Sequence, residues 1–338
     1  MVGTNTKKLL LCVVLAVFSA VFVLASNSSA ADKSDWPRGV AIGTSSIGGT
    51  YYVWGGGWAK LLRDKLGIQA AVEAGGGPTA NVQKVHKKLT AFGMATMGPA
   101  YEGHKGIGWT EGESFNDIRG MFPMYESFLH TWCMPECNIE SIYDFNGKNV
   151  SFAMSGATPF LYYHRLKEFA DLEPNKIITG QYPDISNQMR DGMVCNGATA
   201  SSFPHPTCLE MVTTENCNVI GIPKEIADPF AKKYGLTTGI IPKGVYDGKE
   251  PKQDEYTVTI WNAMLCHKDQ LEDFVYEVVK TTMENTDILK KTHPSAKFVT
   301  PENAAKITVV PLHVGAIKYY EEQGVQLPPE AYPPEYKK

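Results

Sequence analysis

Apolar residues fall into two alternating patterns from position 38 onward. Residues 38–43, 68–73 and 92–96 are short β-branched or apolar runs of strand length. Between them Trp54, Trp58, Leu61, Leu62 and Leu66 recur at helical spacing, as do Val82, Val85 and Leu89. The middle of the chain repeats the alternation, with strands predicted at 150–153, 176–179, 194–200 and 218–222, enough for a second sheet. Two longer extended stretches, 127–134 and 256–267, bracket that block and are placed to carry the chain between lobes. Farther on, Leu271, Phe274, Val275, Val278 and Val279 form the apolar stripe of a helix, with Glu272 and Asp273 at its positive end. Gly324 is a stop for the last helix, and Pro328, Pro329, Pro333 and Pro334 turn the tail into an extended strap or leave it frayed. Strands alternating with helices predict an α/β fold with largely parallel sheets.

The length, 338 residues, exceeds what one core usually serves, so two lobes are expected. Charge adds an exclusion: 32 basic against 36 acidic residues, scattered along the chain, leave no footprint for nucleic acid. The first thirty residues read as a secretory signal, with Lys7 and Lys8 before an uncharged apolar run at 9–24 and small residues suited to cleavage after Ala25 or Ala30. An uncleaved anchor is the rival, but a spanning helix needs about 20 apolar residues. Beyond this segment lie Cys133, Cys137, Cys195, Cys208, Cys217 and Cys266. In an exported chain they point to one or two disulfides, expected as Cys133 with Cys137 and Cys195 with Cys217, with Cys266 a buried strand residue. Their spacing does not suit zinc, and neither a metal nor a cofactor is expected.

Chemistry concentrates in loops at strand ends. Residues 43–52, Gly-Thr-Ser-Ser-Ile-Gly-Gly-Thr-Tyr-Tyr, lie where a strand gives way to a helix. Free N–H groups and the helix dipole there favour an anion, glycines admit it to the backbone, and Thr44, Ser45 and Thr50 add hydroxyl donors. The spacing nearly matches a nucleotide-binding P-loop, but Gly49 stands where the lysine must be. Residues 75–79 and 155–159 form similar loops, and in open α/β sheets three such loops can meet at one cleft. Each also makes sense as a plain capped turn. No nucleophile, base and orienter set is apparent, and none of the five arginines lies in these loops, so a carboxylate would be held by N–H groups and hydroxyls.

At these residues the chain resembles the TAXI-type solute-binding proteins of tripartite ATP-independent periplasmic (TRAP) transporters. The likeness runs through the 43–52 segment, Gly75 to Asn81, Ala100-Tyr101, the 144–148 turn Asp-Phe-Asn-Gly-Lys, Pro204-His205-Pro206 with Glu210, and the closing Val310-Pro311-Leu312-His313-Val314-Gly315-Ala316 with Tyr319-Tyr320. It implies a two-lobed periplasmic binding protein of type II-like fold, each lobe a mixed sheet flanked by helices, with the ligand cleft at the hinge. The lobes would be 31–127 plus 262–338, and 128–261. The implied function is capture, without catalysis, of a small organic acid or acidic amino acid for a membrane permease by a periplasmic monomer. Carried over by position, Thr44, Ser45, Gly48, Gly49, Tyr51 and Tyr52 would line one wall with Gly76 and Thr96, and Ser155, Thr158, Ser202 or Phe203 the other. Ile47 and Thr96 depart from the family pattern and suggest a less polar or bulkier acid. Core packing is the competing explanation for Tyr51, Tyr52 and Trp54. An exported hydrolase or a periplasmic ligand sensor on the same scaffold is the alternative function.

Overall fold

The structure, a computed structural model, describes residues 33–337. The signal segment at 1–30 lies outside the described residues. From Pro37 onward the chain forms one compact unit.

It opens with β1 (Gly39–Gly43), α1 (Thr50–Leu66), β2 (Gln69–Glu73), α2 (Gly77–His86), β3 (Phe92–Thr96) and α3 (Met97–Lys105). β1 lies between β2 and β3, parallel to both, as expected of strands joined by helical crossovers. The tryptophan stripe of α1 is core: Trp54 and Trp58 are buried against Phe122, and Trp58 also meets Phe92, with ring centroids 5.2–6.2 Å apart. α1 stops at Gly67, whose left-handed conformation (φ 73°) closes the helix. Leu89, expected on the apolar face of α2, lies beyond that helix and is exposed, because the chain turns at Lys88 (φ 56°).

Two long antiparallel strands, β4 (Ile118–Cys133) and β10 (Glu255–His267), run through both lobes. β4 begins at Ile118, well before the predicted 127; Gly120 and Pro123 hide its first half from the strand pattern in sequence. In the structure Gly120 leaves room for Leu312, and its N–H reaches the Pro311 carbonyl at 2.9 Å. The middle block supplies β5 (Asn149–Ser151), α4 (Thr158–Phe169), β6 (Lys176–Ile178), α5 (Tyr182–Arg190), β7 (Asn196–Ser201), α6 (Pro206–Glu215), β8 (Asn218–Ile220), α7 (Lys224–Tyr234) and β9 (Thr237–Ile241). The expected second sheet is continuous with the first. One eight-stranded sheet runs β2-β1-β3-β10-β4-β7, with β8 added on β4 and β9 on β10, and β5–β6 form a separate parallel pair.

Apolar residues of the second lobe pack on both sides of its sheet, one cluster around Phe145, Phe152, Tyr163 and Phe230, the other around Trp132, Met189, Met211 and Tyr246. The chain then returns to the first lobe through α8 (Glu272–Glu284), α9 (Thr286–Lys290) and α10 (Val314–Glu322). Leu271, expected within the stripe of α8, is its exposed N-cap. The proline-rich tail is a strap: Leu312 N–H binds the Ala331 carbonyl at 2.8 Å, and Glu335 accepts two hydrogen bonds from buried Arg119 at 2.6 and 2.8 Å.

The disulfide differs from both expected pairs and joins Cys137 to Cys195. β7 and β8 flank β4 on opposite sides, which separates Cys195 from Cys217. Cys133 points into the second-lobe core, whereas a Met134 N–H bond to the Cys195 carbonyl (2.9 Å) brings Cys195 beside the turn holding Cys137. Cys133, Cys208, Cys217 and Cys266 are buried free thiols.

Candidate functional site

The three glycine and hydroxyl loops meet where the lobes face each other. Ser46 Oγ accepts from the Tyr182 N–H (2.9 Å), and Thr207 Oγ1 donates to the Gly48 carbonyl (2.9 Å). Thr79 donates to the Gly156 carbonyl (3.2 Å), Thr96 and Thr158 pair at 2.7 Å, and Ser201 Oγ donates to Thr50 Oγ1 (2.7 Å). These bonds join loops on opposite sides of one cavity of about 30 Å³, room for about two waters.

Ser45, Gly49, Thr50, Tyr51, Pro78 and Tyr125 form one wall of the cavity, and Ala157, Thr158, Pro159, Tyr182, Thr199, Ala200, Ser201 and His205 the other. Four helix N-termini reach it, those of α1, α2, α4 and α5; α1 and α4 keep first-turn N–H groups free, whereas in α5 the Tyr182 N–H goes to Ser46 Oγ and in α2 the Gly77 and Thr79 N–H groups go to the Gly75 and Gly156 carbonyls. Their N–H groups and dipoles make the cavity electropositive although no Lys or Arg lines it. The lining side chains stay neutral at pH 7. Burial raises the Tyr51 and Tyr125 phenols well above their usual range and pushes Tyr182 up to about 12. Burial, with neighbouring His130 and His293, holds His205 well below its usual value. Tyr51 is fixed by a 2.5 Å hydrogen bond to Asn262 Oδ1, and Asn262 in turn donates to the Tyr125 carbonyl and Ser127 Oγ.

Of the residues singled out from sequence, Ser45, Gly49, Thr50, Tyr51 and Thr158 line the cavity, and Thr96 sits directly behind Thr158. The others do not line it. Thr44 Oγ1 is spent on the Glu73 carbonyl (2.7 Å), Gly48 accepts from Thr207, and Gly76 is the N-cap of α2 beside Gly156. Tyr52 is half-buried away from the cavity, Ser155 is exposed, Ser202 is buried elsewhere, and Phe203 packs on Phe128. Ile47 faces solvent and cannot tune the cavity. Trp54 is core, while Tyr51 is both buried and cavity-lining.

Sequence reasoning missed Tyr125, Tyr182, Thr199, Ser201 and His205. Strand alternation in β7 carried a usable signal: Ala198 and Ala200 pack on the core, so Thr199 and Ser201 take the opposite face. Ser202, one residue on, was the wrong parity.

A family model described as the NMT1-like family matches residues 42–324, most of the chain. The chain belongs to the NMT1-like family. Among solved structures, this NMT1-like chain is similar to MatC from Rhodopseudomonas palustris, described with bound malate. That match has 12% identity and a TM-score of 0.57, covering 84% of this chain and 96% of the other. It is also similar to the periplasmic binding protein BugD, at 14% identity and a TM-score of 0.56, covering 86% of this chain and 99% of the other. At such identities the likeness is one of fold, and the fold is that of two-lobed α/β periplasmic binding proteins.

Proposed function

We propose that the protein is a periplasmic solute receptor that closes its two lobes around a small carboxylate and presents it to a membrane permease. The observation that carries this reading is the meeting, at one cavity lined by neutral hydroxyls and tyrosines, of the N-termini of α1 and α4, one from each lobe, with first-turn N–H groups free. Such a cavity compensates a carboxylate without a basic side chain. Malate in MatC is a ligand of that chemistry. The motifs shared with TAXI-type proteins favour a TRAP permease as partner and export through a cleaved signal.

The lobes are taken as 31–127 plus 262–338, and 128–261. β4 exchanges its pairing with β10 for pairing with β7 and β8 near the boundary, and the β4–β10 register shifts between Trp261 and Ala263, a natural hinge. Ligand contacts made only in the closed form would draw the lobes together.

A thermal-shift screen of the chain from Ala31 against mono- and dicarboxylates, amino acids and sugars tests the reading. A ligand that binds only the folded state at 100 times its Kd adds about 2.7 kcal/mol of stability. One carboxylate class should raise the melting temperature without turnover. A shift confined to sugars, or consumption of the compound that binds, contradicts it.

A further inference from the structure

A buried hydrogen-bond chain runs from the second-lobe strands to the cavity, and its accounting fixes the proton on each ring. His130 Nδ1 lies 2.8 Å from the Phe128 carbonyl, which can only accept, so Nδ1 carries the proton and Nε2 accepts. Nε2 lies 2.6 Å from the Tyr246 hydroxyl, which therefore donates to it. The same hydroxyl oxygen accepts the His205 backbone N–H at 3.3 Å. His205 Nδ1 then accepts the Cys208 N–H (3.3 Å) as the N-cap of α6. A neutral imidazole with Nδ1 accepting carries its proton on Nε2. That Nε2 is buried and has no partner, although a buried donor without an acceptor is costly. The ring is held by stacking on Trp132 (centroids 5.5 Å) and by the edge of Tyr182 (4.7 Å), and it lines the cavity.

We propose that His205 Nε2–H is a ligand donor that selects acids carrying an oxo or hydroxyl oxygen beside the carboxylate and rejects the corresponding amino acids. An oxo or hydroxyl oxygen accepts this bond. An α-ammonium has only N–H groups to offer, so it would meet a donor with donors, and no Asp or Glu lines the cavity to balance its charge. The inference rests on the receptor reading and narrows its ligand class from organic or amino acids to oxygen-substituted acids.

The test is calorimetric titration of two matched series: pyruvate, L-lactate, propionate and L-alanine, and 2-oxoglutarate, 2-hydroxyglutarate, glutarate and L-glutamate. In the series that binds, the oxo or hydroxy acid should bind at least about a hundredfold more tightly than the amino acid, since a site built to hydrogen-bond an oxygen strongly rejects analogues without it. His205→Leu should bring the oxo acid down to the affinity of the unsubstituted acid, whereas His205→Gln, which keeps an N–H near the Nε2 position, should retain the preference. The ratio of oxo to unsubstituted acid is read within each variant, so a general loss of stability does not mimic the effect. Amino acids binding as tightly as oxo acids, or an unchanged ratio in His205→Leu, overturns the proposal and leaves the carboxylate receptor standing. Binding by neither series at millimolar concentration overturns the proposal, and the receptor reading falls with it only if the thermal-shift screen finds no carboxylate either.

Discussion

Replacing Glu102 by Gln should loosen closure of the lobes without unfolding either one. Glu102 on α3 receives both guanidinium ends of Arg165 on α4, Nη1 to Oε1 at 2.7 Å and Nη2 to Oε2 at 2.8 Å. The side chains are only 14% and 19% exposed, and the guanidinium also lies 5.1 and 5.3 Å from the Tyr162 and Tyr234 ring centres. A two-pronged, partly desolvated charge pair of this kind contributes about 1.5–3 kcal/mol, more than an exposed surface pair. With the proposed lobe boundaries its partners sit on different lobes, and that energy then belongs to the closed form. In the open form both groups regain water, so Glu102→Gln removes the pair without stranding a buried charge. A loss of about 2 kcal/mol corresponds to about thirtyfold in ligand affinity. Calorimetric titration should show that weakening, and small-angle scattering of the ligand-bound variant should show a larger open fraction. Unchanged affinity with a lowered melting temperature would mean that the pair is a fixed structural contact and that α3 and α4 do not part on opening.

The Cys137–Cys195 bridge spans 58 residues, and its loss through Cys137→Ser with Cys195→Ser should lower unfolding stability by about 4 kcal/mol on the loop-entropy estimate. Urea denaturation checks this, a loss below about 1 kcal/mol would refute it, and non-reducing peptide mapping should find that pair linked. Stability should also fall on mild acidification. Burial pushes His130 and His313 down to about 4, against about 6.5 in the unfolded chain, so from pH 6.5 to 4 the unfolded chain binds protons that the folded chain refuses. Each ring should remove about 1.4 kcal/mol per pH unit in that window, and a urea midpoint flat between pH 7 and 5 would refute this.

The fold was legible in sequence where local chemistry and tertiary packing agree. The α1 stripe of Trp54 and Trp58, the β1 to β3 runs and the glycine that closes α1 express period and capping, which a single segment carries by itself. The course of β4 was hidden because Gly120 and Pro123 are poor strand residues locally, and only contact with the returning segment at Pro311 and Leu312 explains the glycine. The disulfide was hidden for a related reason: nothing in the spacing of Cys195 and Cys217 says that β4 runs between their strands. The candidate site was half legible. Glycine and hydroxyl loops announce helix N-termini, so Ser45, Gly49, Tyr51 and Thr158 were within reach. Tyr125, Tyr182 and His205 come from places where sheet topology, not local pattern, decides what faces the cavity.

The central claim is that a carboxylate is held by the N–H groups of helix N-termini from both lobes. Amide chemical-shift mapping during titration with the acid found by the thermal-shift screen tests it most directly. The largest proton shifts, to low field, should fall at Thr50 and Tyr51 of α1 and at Thr158 and Phe160 of α4, saturating together. Shifts concentrated elsewhere, for example in the surface groove lined by Met97, Tyr101, Tyr234 and Trp261, with these four amides unmoved, would contradict it.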